Sequence, residues 1–316
     1  MSGGPAEPGP ASALAEALAR GRFVLTAELS PPVSTDPAAF VAAAQSLKGL
    51  ATAVNVTDGA AAKAHLSSLA AAHFLARSGI EPILQMTCRD RNRIALQGDL
   101  LGAVALGIRN VLVLRGDDPS AGDQPEAKPV FDLGTTAVLA MAHRMRAERR
   151  LPPGTEIGGE VPLVLGAADT PVDPPPGWRP EGLIAKADAG ADFVQTQFCM
   201  DLGVVRRYAA RLLELGIAQR LPILVGVAPV PSARSALWMR ERLPGTLIPD
   251  EIVARLERSA DPRREGRRIC VELIGELAAV PGIAGVHVMA PRDHAALAEV
   301  LAAAGVSRIR RAVPSG

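Results

Sequence analysis

Short apolar runs alternate with helical patterns from one end of the chain to the other. Strands are expected at residues 23–30, 53–58, 82–88, 110–116, 192–198, 222–229 and 285–290, with a further strand inside 156–167. The last of these carries Gly158, Gly159 and Pro162, which suit a strand interior poorly. Helical periodicity fills the gaps. A helix opens near Ser34, Thr35 and Asp36 with Pro37 just inside, a cap followed by the residue best tolerated in a first turn. Others cover 91–106, 134–149 and 180–189, and an excursion over 232–280 is interrupted at Pro244 and Pro249. Eight near-continuous apolar strands, each followed by a helix, imply a parallel sheet covered on both faces. That count over roughly 290 residues predicts an α/β fold of the (β/α)8 TIM-barrel type. An open doubly wound sheet is the rival, but no GxGxxG or Walker sequence occurs. The expected organisation is a disordered tail over 1–20 and one barrel domain over 21–316.

Composition narrows the function. Lys plus Arg is 34 and Asp plus Glu is 33, a net charge of +1, so the chain has no global field for nucleic acid or an anionic membrane. Aromatics are only 3%, which leaves few bases-stacking platforms. Cys88, Cys199 and Cys270 form no CxxC or zinc pattern, and free thiols in a reducing cytoplasm are expected. The first twelve residues lack the basic and apolar regions of a signal peptide, and no apolar run reaches the roughly 20 residues of a membrane span.

Chemistry in such a barrel lies at the C-terminal strand ends. These carry Glu28, Thr57, Asp58, Gln85, Arg115, Asp117, Gln195 and Gln197, with Arg292 just past the eighth strand. Each alone could tie a loop to the rim; together they favour a site. Glu28 suits a general acid, or a carboxylate paired with an arginine. Gly116 permits close backbone approach to a ligand, and Arg115 suits a phosphate or carboxylate. The amide of Gln197 can donate and accept at once. The run Arg89, Arg91 and Arg93 could bind anionic substituents such as polyglutamate, or could be a solvated helix start with Asp90 as its cap. His65, His73 and His143 are expected on helix surfaces, and His287 inside the barrel. No His pair has metal-ligand spacing.

Taken in order, AELSPP, VNVTDG, QMTCRDRN, VLRGDDP, KPVFDL, KADAGADFVQTQF, GVAPV and GVHVMA resemble the methylenetetrahydrofolate reductase family over residues 22–304. The resemblance implies a barrel that binds FAD noncovalently, takes hydride from NADH or NADPH, and reduces 5,10-methylenetetrahydrofolate to 5-methyltetrahydrofolate. It implies Glu28 as the general acid and Asp117 as a second catalytic carboxylate. It places Thr57, Asp58, Gln85, Arg115, Gly116, Asp117, Asp132, Ala167 and Lys186 around the cofactor, and Gln197 and Arg292 against the folate. Departures are visible: Asp58 replaces an aromatic, Gln85 stands where many members have His, the fifth strand reads LVLGAA, and Ser235 replaces a Gln. Alternatives are a pterin-binding barrel for non-redox methyl transfer, and a flavin-independent or accessory member of the family. A folate substrate, a homo-oligomer or redox-partner complex, and no nucleic-acid or membrane partner are expected.

Overall fold

The computed structural model describes residues 11–291 and 293–305. Eight parallel strands close into a barrel in sequence order: β1 Val24–Leu29, β2 Ala53–Val56, β3 Pro82–Thr87, β4 Asn110–Leu114, β5 Val164–Asp169, β6 Phe193–Phe198, β7 Ile223–Val227 and β8 Ile283–Val288. The helices are α1 Ala13–Ala19, α2 Ala38–Gln45, α3 Ser68–Arg77, α4 Arg93–Ala105, α5 Thr135–Glu148, α6 Glu181–Asp188, α7 Leu202–Glu214, α8 Ile217–Arg220, α9 Ala233–Arg242, α10 Asp250–Arg258, α11 Pro262–Ala278 and α12 His294–Ala304. The Pro-interrupted excursion is therefore three helices, α9 to α11. Outward strand residues such as Leu25, Leu84, Val111 and Val286 pack under the helices in one large core.

The expected tail is helical from Ala13. Ser12 caps α1 by accepting from the Ala15 N–H, and its hydroxyl reaches Asn110 Oδ1 at 2.7 Å. The Glu81 carboxylate accepts from the Ala13 and Leu14 N–H groups at 2.7 and 2.8 Å, which suits the positive end of a helix. Leu14 and Ala17 then pack on Val24, Ala53, Ile83, Leu112, Val164, Phe193 and Leu224, the lowest inward layer of the barrel. Thus α1 stoppers the N-terminal end. Gly166 serves the same layer: a Cβ there would lie 2.4 Å from the Phe193 ring. The remaining tail, residues 1–10, lies outside the described residues.

Two smaller expectations also shift. Asn92, not Asp90, caps α4, its Oδ1 accepting from Ile94 and Ala95 N–H. The helix expected near Ser34 begins at Ala38, with Asp36 accepting from the Ala38 N–H.

Candidate functional site

Strand side chains alternate between the two faces, so every second residue enters the barrel. Above the apolar plug this gives a polar layer. Asn55 and Gln195 bond reciprocally through their side-chain amides, at 2.6 and 3.0 Å. Gln195 Nε2 also donates to Thr26 Oγ1 at 3.1 Å, and Thr26 Oγ1 lies 3.0 Å from His287 Nδ1. Thr26, Asn55, Gln195 and His287 are all buried. Buried polar groups persist when each has partners, and here the chain of bonds fixes the imidazole plane.

Glu28 sits at the top of this chain. Its Oε2 accepts from Gln85 Nε2 at 2.8 Å and lies 3.5 Å from His287 Nε2. Among the described residues its Oε1 has no bonding partner, and Glu28 lines a cavity of about 570 Å³ at the C-terminal mouth. The same cavity is lined by Thr57, Asp58, Gln85, Arg115, Gly116, Asp117, Lys186 and Gln197. Glu28 also borders a second, more apolar chamber of about 900 Å³, walled by Phe198, Met239, Leu243 and Met289.

Among the described residues Thr57 Oγ1 is buried with no partner, an orphan polar atom at the wall of the mouth. An unmet buried hydroxyl is costly, so a ligand group there would be favoured. Gln197 is held partly by the protein, accepting from the Phe198 N–H at 2.9 Å and donating to Pro244 O at 3.3 Å. The shift in register between β6 and β7 after Gln195 turns it to the rim.

Several expected cofactor residues are engaged elsewhere. Asp58 lines the cavity, but Arg91 meets both its oxygens at 2.6 and 3.3 Å, while Thr87 and Ser68 donate to it. Burial alone would raise the Asp58 carboxyl; the arginine and these hydrogen bonds outweigh it and hold it below the usual range. Asp132 is taken by Arg93 at 2.8 and 2.9 Å, is drawn down to about 2 by that guanidinium, and does not line the cavity. Ala167 faces the helices in the outer core; Ala168 and Asp169 border the cavity instead. Arg292 lies outside the described residues.

The charges of the arginine run are met within the protein, although Arg93 at the start of α4 is exposed. Arg89 binds Asp90 and the Gly59 carbonyl, Arg91 binds Asp58 and Asp99, and Arg93 binds Asp132. These pairs stitch the loops above β2, β3 and β4 together. His65 lies in a loop rather than on a helix; His73 and His143 are on α3 and α5.

The resemblance sets FAD among Thr57, Asp58, Gln85, Arg115, Gly116, Asp117, Asp132, Ala167 and Lys186, at or after the ends of β2 to β5. The loops there close on one another. A Cβ at Gly122 would lie 2.1 Å from the Ala62 carbonyl oxygen, and one at Gly59 would lie 2.3 Å from Arg89 Nη2. At Gly116, with φ +86°, an added Cβ would lie 2.9 Å from the Arg89 Cβ and 3.1 Å from the Thr87 Cβ, and the residue also lines the cavity. Asp117 Oδ2 accepts from the Ala61 N–H at 3.0 Å. The Arg115 guanidinium stacks 4.7 Å above the Phe131 ring, and Lys186 Nζ donates to Ala168 O at 2.6 Å. Of the residues expected around the cofactor, Asp132 and Ala167 lie off the cavity and Asp58 is committed to Arg91, while Thr57, Gln85, Arg115, Gly116, Asp117 and Lys186 line it.

Sequence reading missed Asp169. It borders the cavity, accepts from the hydroxyl of Tyr208, the chain's single tyrosine, and has Lys186 Nζ at 3.9 Å. Burial pushes its carboxyl up despite both partners, and burial with the nearby carboxylate pushes the Tyr208 phenol well above its usual value. The signal was an acid ending a strand of small residues, AAD. Among the described residues no His, Cys, Asp and Glu cluster could hold a metal, and no helix is long and apolar enough to cross a membrane.

Comparison with known proteins agrees with the motif order. A family model described as Methylenetetrahydrofolate reductase matches residues 13–305. A Caenorhabditis elegans protein named probable methylenetetrahydrofolate reductase (NADPH) is 28% identical over 251 residues, 77% of this chain and 35% of that protein. An Oryza sativa subsp. japonica protein named probable methylenetetrahydrofolate reductase (NADH) is 30% identical over 186 residues, 56% of this chain and 30% of that one. The chain thus spans about a third of the length of these relatives. A solved Clostridium thermocellum protein, described as binding two copies of 5-methyl-5,6,7,8-tetrahydrofolic acid, superposes with a TM-score of 0.62 at 14% identity. That likeness covers 92% of this chain and 96% of the other, and concerns the fold. By its family match over nearly its whole length, the chain belongs to the methylenetetrahydrofolate reductase family.

Proposed function

We propose that the protein reduces 5,10-methylenetetrahydrofolate to 5-methyltetrahydrofolate with hydride from NADH or NADPH, using Glu28 as the acid. One observation carries this reading. Glu28 stands where the polar mouth and the apolar chamber meet, with Oε2 held by Gln85 and beside His287 and no bonding partner at Oε1 among the described residues. A carboxyl pinned on one oxygen and free on the other is oriented to deliver a proton at one point.

The step balances as follows. Glu28 gives a proton to N10 of the folate, and the electron pair of the bond between N10 and the bridging carbon passes to N10. The bridging carbon is left as an iminium on N5. Hydride from the nicotinamide adds to that carbon, giving the N5-methyl group and the oxidised nucleotide. His287, beside the same carboxylate, is placed to pass a fresh proton to Glu28. Thr57 and Gln197 offer polar atoms at the rim for ligand amides.

The flavin route implied by the resemblance is the second reading. The commitments of Asp58, Asp132 and Asp117 within the protein favour direct transfer over it. Oxidation of NADH and NADPH by the purified protein with methylenetetrahydrofolate tests the activity, and Glu28→Gln tests the acid. A positioned acid contributes about 10²–10⁴-fold, so a loss of that size is expected in kcat with little change in nucleotide binding. A Glu28→Gln protein with near wild-type turnover would sink the role; nucleotide left unconsumed by the wild type would sink the activity.

A further inference from the structure

Asp169 closes β5 with a carboxylate that takes no part in proton delivery by Glu28. Its Oδ2 accepts from the Tyr208 hydroxyl, and the Thr170 N–H donates to the same carboxylate. Lys186 Nζ stands 3.9 Å from Oδ1, beyond hydrogen-bond range, and donates instead to Ala168 O at 2.6 Å. A carboxylate offers about four acceptor positions, so this one keeps capacity for further donors. Its side chain is 18% exposed and borders the same cavity as Glu28. Tyr208 is fixed in its turn, fully buried with its ring centroid 5.9 Å from that of Trp178. Its phenol, raised well above the ordinary value by burial and the neighbouring carboxylate, stays a donor.

Barrel closure sets where this acid stands relative to Glu28. Glu28 is on β1 and Asp169 on β5, which are opposite one another in a closed ring of eight strands in sequence order. Strands about 4.8 Å apart and tilted by about 36° close a ring about 15 Å across. A dinucleotide with its nicotinamide ring at Glu28 spans that mouth through its two riboses and pyrophosphate, and brings its adenosine half to the β5 side. Arg115 follows β4, which pairs with β5, and lines the same cavity. Its guanidinium lies over the Phe131 ring and, among the described residues, makes no ion pair or hydrogen bond. Of the other cations lining the cavity, Arg89 is taken by Asp90 and Lys186 stands beside Asp169. Arg115 and Lys186 are thus what meets the two charges of a pyrophosphate, and a 2′-phosphate would bring about two more. Vicinal hydroxyls donate to a carboxylate, whereas a 2′-phosphate presents acceptors and like charge to it. We propose that Asp169 holds the 2′,3′-diol of the adenosine ribose and thereby selects NADH over NADPH. The inference rests on the reductase reading and names the nucleotide that this site takes.

Titration of the protein with NADH and with NADPH, followed by nicotinamide emission, reads the preference without turnover. The wild type is expected to bind NADH about ten- to hundredfold more tightly, the range that hydrogen bonds to a charged group give. Asp169→Asn should close most of that gap, chiefly by tightening NADPH. Tyr208→Phe keeps the carboxylate and should keep the preference, which separates the charge from the packing of β5. A ligand-side probe needs no variant: NADH lacking the adenosine 2′-hydroxyl should bind the wild type about tenfold more weakly than NADH. The ratio of kcat/KM for the two nucleotides with methylenetetrahydrofolate should follow the binding ratio. Equal affinities in the wild type, a preference for NADPH, a gap that survives in Asp169→Asn, or a 2′-deoxy analogue that binds as well as NADH would each overturn the assignment. Folate turnover with either nucleotide and no preference overturns the assignment alone. Binding of neither nucleotide, with no turnover, overturns the reductase reading along with it.

Discussion

His287 Nε2 lies 3.5 Å from Glu28 Oε2, while Nδ1 of the same ring lies 3.0 Å from Thr26 Oγ1. The imidazole is therefore clamped between the barrel's buried polar layer and the carboxylate at its mouth. Two orientations of the hydroxyl serve it. When the Thr26 hydroxyl donates to Nδ1, Nε2 carries the proton towards Glu28. When it donates to the Val286 carbonyl, at 3.3 Å, Nδ1–H donates to Thr26.

His287→Gln keeps an amide near Glu28 and removes the imidazole. A fall of about tenfold or more in kcat is expected, with a changed pH profile of kcat and little change in KM. Thr26→Val should produce a milder form of the same change, because the ring loses its clamp and keeps its proton. A His287→Gln enzyme with lowered Tm and an unchanged pH profile would mark the ring as packing only.

The Asp58–Arg91 pair is expected to dominate acid stability around the site. Removing one partner of a buried pair leaves a charge less well met, and Arg91 keeps Asp99, so Asp58→Asn should cost about 1–3 kcal/mol in urea unfolding at neutral pH. The sign of the pH effect follows from the direction of the shift. The depressed carboxyl contributes stability that is present above its ordinary value of 3.8 and lost as pH falls through the lower folded-state value. Wild type should therefore lose more stability than Asp58→Asn across that acid range. Parallel acid slopes for the two proteins would contradict the assignment.

Leu14, fully buried against the base of the barrel, gives a test of the α1 stopper. Leu14→Ala is expected to cost about 2–5 kcal/mol by denaturant unfolding. Glu81→Gln should weaken the helix start by less, since the amide oxygen still accepts one N–H. A Leu14→Ala protein as stable as wild type would mean that α1 does not hold the barrel in solution.

Much of this architecture was legible in one pattern, near-continuous apolar runs alternating with helical segments, as a parallel sheet covered on both faces requires. That pattern, read to its C-terminal strand ends, puts Glu28, Thr57, Gln85 and Gln197 at one mouth. It failed at the fifth strand, where the observed Val164–Asp169 lies later than the glycine-rich segment suggested, so Ala167 falls on the outer face and Asp169 reaches the cavity. Loop pairing was also hidden. Arg93 and Asp132 are 39 residues apart, and nothing local says that they meet. The Gly- and Pro-rich start masked α1, although Ser12 followed by Leu14, Ala17 and Leu18 has the cap and spacing of a short amphipathic helix. Thr26, Asn55 and Gln195 were readable as polar residues in strands, but only closure of the barrel brings them together.

The most direct test of hydride passing from nicotinamide to folate above Glu28 is isotopic. The protein would turn over methylenetetrahydrofolate with NADH or NADPH deuterated at both C4 positions, and the methyl group of the product would be examined by mass spectrometry. Direct transfer predicts one deuterium retained in the 5-methyl group, with none lost to water. A product methyl free of deuterium, with the label washed into solvent through an exchanging carrier, would contradict the account.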